Sequence, residues 1–374
     1  MKNPFRYDNF ATGSSFCGRH NEIATMKQLC GDGKNILLYS RRRYGKSSLI
    51  QQLFGHHFDQ TQFITIYVDL FEILTANDFA KLFYQASAKS MKLSLKTASQ
   101  QLVKYFKKVH FGINIDQSGN PAFSPTLASR DFDELIEDTF NGLVQYAADH
   151  NIKVVVAFDE FQQISDIKEK KIDAVIRKYI QHHDISYIFC GSKKHLLTGL
   201  FTHHSKPLFS MATGIELNAI EPDVFFQFAN HHLTGHLSRT AFDYLFEQVD
   251  GESKLLQQAC YHFFYLAVPS DKQIDKQVVT EVLTTMVKQS DGEYRMIYEH
   301  LTKSQKAALK AIILFNGNGL FRLDALGQLN TSKQTLLAAL KALMKNEMVD
   351  KEQGTYFITD KKFSLWCQLM FSKF

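Results

Sequence analysis

Between residues 35 and 50 the chain reads Asn35-Ile-Leu-Leu-Tyr-Ser-Arg-Arg-Arg-Tyr-Gly-Lys-Ser-Ser-Leu-Ile50, and this run constrains the fold more than any other. A short apolar strand breaks into a loop, and Gly45-Lys46-Ser47 opens an amphipathic helix, so a helix N-terminus must sit at the tip of a strand. That layout is a phosphate cradle. A polyphosphate needs several backbone N–H groups aimed at one point, a helix N-terminus, a cation on the terminal phosphates and a hydroxyl for magnesium. Ser40, Arg42, Arg43, Tyr44, Gly45, Lys46, Ser47 and Ser48 can supply all of these, with Lys46 as the cation and Ser47 as the hydroxyl. ATP or GTP, with Mg2+, is the expected ligand. The pattern Gly-x-x-x-x-Gly-Lys-[Ser/Thr] is met except at its first position, where Ser40 stands. Glycine tolerates backbone angles that serine reaches only at a cost, so Ser40 predicts a turn with ordinary angles or a slightly weaker phosphate grip.

A second segment supports the first. Lys153-Val-Val-Val-Ala-Phe-Asp-Glu160 is an unbroken apolar run ending in two carboxylates, the pattern of a parallel strand buried on both faces. Ligands of open α/β sheets collect at the carboxyl ends of such strands, which brings Asp159 and Glu160 to where Lys46 points. Asp159 is expected to hold the magnesium bound by Ser47 and the β- and γ-phosphates. Glu160 is expected to orient or deprotonate the attacking water.

With 374 residues, 45% of them hydrophobic, the chain can build two or three domains with proper cores. The formal charge of +5 permits contact with nucleic acid without arguing for it. Five scattered cysteines suggest neither a disulfide frame nor a zinc site. Adjacent histidines at 182–183, 203–204 and 231–232 point to different faces of a helix or strand, as packing or surface residues do. No segment has the length and apolarity of a signal peptide or membrane span, so no membrane contact and a cytoplasmic address are expected.

Candidate strands at residues 35–39, 63–70, 154–158, 187–190 and 214–217 alternate with helical stretches, which predicts a parallel, helix-covered sheet. Between the second and third strands, turn residues near Asp116-Gln-Ser-Gly-Asn120 separate short alternating segments, predicting a hairpin insertion at about 109–126. From Glu221 helices take over. After residue 298 the pattern changes again to three helices, the third carrying Leu336, Leu340 and Leu343 behind a capping box at Thr331-Ser-Lys-Gln334, followed by two strands around a glycine turn. The expected division is an α/β nucleotide-binding domain at 1–220, a helical lid at 221–298 and a winged helix at 299–374.

With these motifs in order, the chain resembles the AAA+-like P-loop ATPases of the archaeal-type ATPase family, relatives of the STAND signalling ATPases. Asn3-Pro-Phe5 followed by Phe16-Cys-Gly-Arg19 and Glu22 is similar to the family's leading segment, which lies against adenine, and so implies Gly18 and Arg19 as cofactor-binding residues. Ser40-Arg-Arg-Arg-Tyr-Gly-Lys-Ser47 resembles its arginine-rich phosphate loop, Phe158-Asp-Glu-Phe-Gln162 its Walker B, and Phe189-Cys-Gly-Ser192 its sensor strand. The resemblance implies that Ser192 meets the γ-phosphate or the lytic water, and that Arg177 faces a γ-phosphate. One of Arg41, Arg42 and Arg43 is expected on phosphate, the others on acids of the helical domain. One departure stands out: where the family carries Gly-Gly-x-Pro, Gly251-Glu-Ser-Lys254 keeps only the first glycine. Adenine rather than guanine follows from the resemblance alone.

The resemblance implies a magnesium-dependent ATPase with slow hydrolysis that works as a conformational switch. Two alternatives stay open. Lys333, Lys341 and Lys345 on or beside the third helix of the winged helix allow a DNA-binding regulator, although Glu347 and Asp350 dilute the patch. The hairpin or the winged helix could instead recruit a protein partner. The oligomeric state is left open.

Overall fold

Apolar runs of four to seven residues become strands β1 (Ile36–Tyr39), β2 (Phe63–Asp69), β3 (Phe111–Ile115), β4 (Pro121–Pro125), β5 (Lys153–Asp159), β6 (Ile185–Gly191) and β7 (Thr213–Glu216). They are seen in a computed structural model that describes residues 2–91, 104–106, 111–115, 121–125, 131–192 and 194–371. Five of them form one sheet in the order β2-β5-β6-β1-β7, all parallel. β6 therefore lies between the strand that feeds the phosphate loop and the strand that ends in Asp159. Leu38 pairs with Cys190 across β1 and β6, and Phe158 with Phe189 across β5 and β6, so the carboxyl ends of all three strands finish side by side.

Both faces of this sheet are covered, which explains why its strands read as continuous apolar runs. Successive residues alternate between the faces. Val154, Val156 and Phe158 enter one cluster with Phe79, Phe83 and Phe140, whereas Val155 and Ala157 enter another with Leu49, Ile50 and Leu53 of the helix Lys46–His56. The first cluster is aromatic. Phe158 lies 5.5 Å from Phe79 and 5.3 Å from Phe83, and Phe140 stacks on Tyr179 at 3.8 Å. This packing holds β5 rigid up to its acidic tip.

The expected insertion is an antiparallel hairpin, with Ile113 opposite Phe123 and β3 and β4 forming a two-stranded sheet. Its turn lies outside the described residues.

The chain divides into one unit of Phe10–Asn218 and another of Met1–Asn9 with Ala219–Phe374. The first residues, expected in the α/β domain, thus cluster with the helical part. The reason is local: Phe5 is buried in T-shaped contacts with Phe228 at 5.9 Å and His232 at 5.8 Å. Asn3 Nδ2 donates to Tyr261 O at 3.0 Å, and the Arg6 N–H donates to Gln257 Oε1 at 3.3 Å. This second unit runs through helices Pro222–His232, Arg239–Gln248, Ser253–Ala267, Lys276–Lys288 and Asp291–Glu299, then Lys303–Leu314, Leu323–Gln328 and Lys333–Lys345. Strands β8 (Val349–Glu352) and β9 (Thr355–Ile358) follow, with a last helix Lys361–Phe371. Gln353 (φ 47°) and Gly354 (φ 93°) make the two-residue turn, left-handed at both positions as such hairpins require.

One cap falls a residue later than expected. The Thr331 N–H donates to Leu326 O at 3.1 Å and so closes the preceding helix, which leaves Ser332 to cap the next by accepting from the Thr335 N–H at 3.1 Å. Among the described residues no helix is long and apolar enough to cross a membrane.

His236 ties two segments of the second unit. Its Nε2 lies 2.7 Å from Asp271 Oδ1 and its Nδ1 2.7 Å from Leu233 O. Leu233 O and Asp271 both accept, so a ring with hydrogen on both nitrogens satisfies them, the Thr234 hydroxyl being a further neighbour of Nδ1 at 2.8 Å. The bonds to Asp271 and Leu233 accordingly hold the His236 pKa above its ordinary 6.5. A raised folded-state pKa adds stability that is fully present below about pH 6.5 and fades as pH rises through the folded value. Asp271→Asn, which keeps a residue that tolerates the φ of 53° there, should therefore be less stable than the parent at pH 6, with the gap closing at higher pH. Urea unfolding followed by fluorescence of Trp366, the chain's single tryptophan and part of this unit, checks it. A gap that widens with pH would contradict it.

Candidate active site

The loop from Ser40 to Gly45 joins β1 to the helix Lys46–His56. Its unusual angles fall on Arg43 (φ 68°) and Gly45 (φ 92°), whereas Ser40 is not left-handed. Ser40 thus adopts ordinary angles, one of the two outcomes its missing glycine allowed. Its side chain is also used: Ser40 Oγ donates to Arg41 O at 2.7 Å and accepts from Lys46 Nζ at 3.1 Å. The Lys46 ammonium further lies 3.4 Å from Arg41 O and 3.5 Å from Ser40 O. Burial pulls the Lys46 pKa below the usual lysine value, with Glu160 and Asp159 pulling it back up.

Asp159, 4% exposed at the tip of β5, gathers donors from four places. Ser47 Oγ donates to its Oδ2 at 2.6 Å and Tyr67 Oη to the same oxygen at 2.5 Å. Cys190 Sγ donates to Oδ1 at 2.9 Å, as does the Glu160 N–H at 2.9 Å. Burial, followed by the neighbouring Asp159 charge, raises the Tyr67 and Cys190 pKa values, so both stay protonated donors. Ser47 and Asp159 were expected together from the sequence. Tyr67 and Cys190 were not. The available signals were a hydroxyl two residues before the end of β2, and a cysteine immediately before Gly191-Ser192.

Glu160 follows in the left-handed region, φ 51°. Ser192, just past the end of β6, donates its hydroxyl to Glu160 Oε2 at 2.9 Å, and the Gln162 amide donates to the same oxygen. Glu160 and Ser192 are therefore brought into contact, and Gln162, quoted in the sequence only as part of a motif, is a third member.

The remaining candidates are placed differently. Arg41, Arg42 and Arg43 are exposed on the loop and Tyr44 is buried. Ser48 Oγ accepts from the Ala11 N–H at 3.1 Å and so anchors the leading segment. Gly18 (φ 64°) and Arg19 (φ 65°) turn the chain into the helix His20–Gly31. The Arg19 guanidinium donates to Glu22 Oε1 at 2.9 Å, to Asn218 O at 2.5 Å and to Tyr44 O at 3.4 Å, a tie between the phosphate loop and the end of the sheet. Arg177, exposed on the helix Ile172–His182, donates to Pro207 O at 2.7 Å rather than to any member of the acidic cluster.

Residues 16–259 match the family described as an ATPase domain predominantly from Archaea, well over half of the chain. The chain belongs to that family. It is a P-loop ATPase, and the cluster around Lys46, Ser47, Asp159 and Glu160 lies within the matched residues. Among solved structures the ATPase is similar to a Walker-type ATPase of Pyrococcus abyssi, at 18% identity over 97% of this chain and 99% of that one, with a TM-score of 0.65. It is also similar to the ORC2 protein of Aeropyrum pernix in its ADP form (14% identity, 98% and 97% covered, TM-score 0.54). A third likeness is the ORC1 protein of Aeropyrum pernix in complex with DNA (10% identity, 96% and 94% covered, TM-score 0.52). At these identities the likeness is one of fold. No curated protein matches the sequence of the ATPase.

The role of Arg19 as an internal tie can be measured. Arg19→Asn keeps a residue that tolerates the left-handed backbone and removes the stem and the guanidinium, whose charged hydrogen bonds are worth about 1.5–3 kcal/mol. Chemical denaturation followed by circular dichroism should show a loss of that size. Unchanged stability would assign Arg19 to the ligand instead.

Proposed function

We propose that this ATPase binds ATP with magnesium and works as a slow, nucleotide-controlled conformational switch. The observation that carries the reading is the 2.6 Å bond between Ser47 Oγ and Asp159 Oδ2, which joins the phosphate-loop helix to the tip of β5 beside the buried Lys46 ammonium. A hydroxyl and a carboxylate are hard oxygen donors, and two protein ligands with the remainder left to phosphate and water suit magnesium. Bound there, the ion would neutralise charge building on the β- and γ-phosphates.

In this reading Lys46 and the loop N–H groups from Arg42 to Ser48 hold the phosphates, while Gly18 and Arg19 stand on the adenine side. Glu160 orients or deprotonates a water whose oxygen attacks the γ-phosphorus. The bond to the β–γ bridging oxygen breaks, and ADP and phosphate leave. Ser192, hydrogen-bonded to Glu160, is placed to sense the γ-phosphate. Arg177 takes a γ-phosphate role only by giving up Pro207 O, an exposed bond of small net value.

The switch follows from the domain division proposed here: the α/β part, a helical lid and a C-terminal winged helix made of three helices and the β8–β9 wing, as in STAND-like ATPases. Nucleotide would favour one arrangement through contacts it makes in that state alone. The cytoplasm is the proposed compartment.

Glu160→Gln should slow hydrolysis by about 10²–10⁴-fold, the usual worth of a positioned base, in a steady-state phosphate-release assay. Equal rates would remove Glu160 from the chemistry. Calorimetry on Lys46→Ala should show ATP affinity at least about tenfold weaker, which is about 1.4 kcal/mol.

A DNA-binding reading is favoured by two observations. Lys333, Lys341 and Lys345 are exposed on the helix Lys333–Lys345, and the similar ORC1 protein was solved in complex with DNA. If those lysines contact phosphates, duplex affinity must fall steeply and linearly in a log–log salt series. A flat series returns the winged helix, or the β3–β4 hairpin, to protein recruitment.

A further inference from the structure

Three donors converge on one oxygen of Glu160: the Ser192 hydroxyl at 2.9 Å, the Ser192 N–H at 3.4 Å and the Gln162 side-chain amide. Gln162 is 2% exposed and sits on the short 3-10 turn Phe161–Asp166 that follows Glu160. Its carboxamide occupies the space where residue 191 would carry a side chain. A Cβ on Gly191 would lie 1.9 Å from Gln162 Oε1 and 3.0 Å from its Cδ. Gly191 is not left-handed, so what excludes a side chain there is Gln162, not the backbone. The amide must turn its N–H2 toward the carboxylate, because its oxygen would face a second acceptor. That leaves Gln162 Oε1 buried without a hydrogen-bond partner, an arrangement that costs stability. Packing alone does not account for a polar group placed this way.

We infer that Gln162 is a positioning residue for Glu160, and that Gly191 is the vacated space that admits it. The inference rests on the reading of Glu160 as the group that orients or deprotonates the lytic water. Without Gln162 the carboxylate keeps Ser192 alone and is free to swing away from the position in which it meets the lytic water.

The test compares ATP hydrolysis, ATP affinity and melting temperatures of Gln162→Ala, Gln162→Glu, Gly191→Ala and the Gly191→Ala/Gln162→Ala double variant. Gln162→Ala should lower kcat by about 10–100-fold, the scale of a misplaced reacting group, with ATP affinity unchanged. Gln162→Glu should lose at least as much kcat, because it replaces the amide donor to Glu160 with a second acceptor. Gly191→Ala displaces only the far end of a flexible side chain, so it should fold like the parent yet lose as much kcat as Gln162→Ala. The double variant should be no worse than either. A lower melting temperature for Gln162→Ala with kcat unchanged would overturn the inference, and so would losses that multiply in the double variant. Glu160→Gln separates the two claims. If it hydrolyses ATP like the parent, both fall, whereas a slow Glu160→Gln beside a parent-like Gln162→Ala removes only the role of Gln162.

Discussion

One buried carboxylate organises the catalytic edge of this protein. Asp159 receives Ser47 from the phosphate-loop helix, Tyr67 from β2, Cys190 from β6 and the N–H of its own neighbour Glu160. A carboxylate has about four lone-pair sites, so these donors fill it. Taking such a charge out of water is costly unless every site is met. The consequence is geometric. Moving any one of three elements relative to β5 breaks a short hydrogen bond to a buried charge, so the phosphate loop, β6 and the edge strand β2 are locked to the same point.

The same mouth holds the opposite charge. Lys46 is buried, and burial alone lowers its pKa; the nearby Glu160 and Asp159 offset part of that. Its nearest partners in the loop, Ser40 Oγ, Ser40 O and Arg41 O, are neutral acceptors. A polyphosphate would supply the full negative charge that these dipoles only approximate, which is the electrostatic basis for anion affinity at this helix N-terminus. Asp69, paired in register with Asp159 across β2 and β5, adds to the acidic side, and burial raises its pKa. Anionic ligand and acidic rim call for positive charge between them beyond Lys46, and in the proposed function magnesium held by Ser47 and Asp159 would supply it, the Ser47 hydroxyl then giving up its bond to Asp159.

The parts of the site visible in the sequence are those carried by local pattern. β5 could be recognised because a strand buried on both faces has no polar interruptions, and Lys46 because a helix must begin where an apolar strand stops. Tyr67 could not: it lies on an alternating strand, and its bond to Asp159 spans 92 positions. Cys190 looked like one of five scattered cysteines until the pairing of β5 and β6 brought it beside Asp159. Arg19 makes contacts that its motif did not signal. Its motif pointed outward to adenine, yet the guanidinium binds the protein's own carbonyls at Tyr44 and Asn218. Phe5, counted with the α/β domain by position, follows instead the aromatic cluster of Phe228 and His232, because burial decides where an apolar N-terminal residue goes.

Three residues that are not glycine adopt left-handed angles around this site: Arg19, Arg43 and Glu160. Each costs of order 1–3 kcal/mol and persists only where its surroundings over-determine it. The hydrogen bonds do so for two of them. Arg19 is held by Glu22, Asn218 and Tyr44, and Glu160 by Ser192 and Gln162. At Glu160 the strain has a clear effect: the left-handed turn sharply redirects the chain after Asp159, so consecutive carboxylates leave β5 toward different donors instead of competing for the same ones. Asp159 can then stay with Ser47 and Tyr67 while Glu160 meets the tip of β6. A glycine at position 160 would relieve the backbone and abolish the carboxylate, so strain at that residue is the condition for having two acids with two separate tasks at the end of one strand.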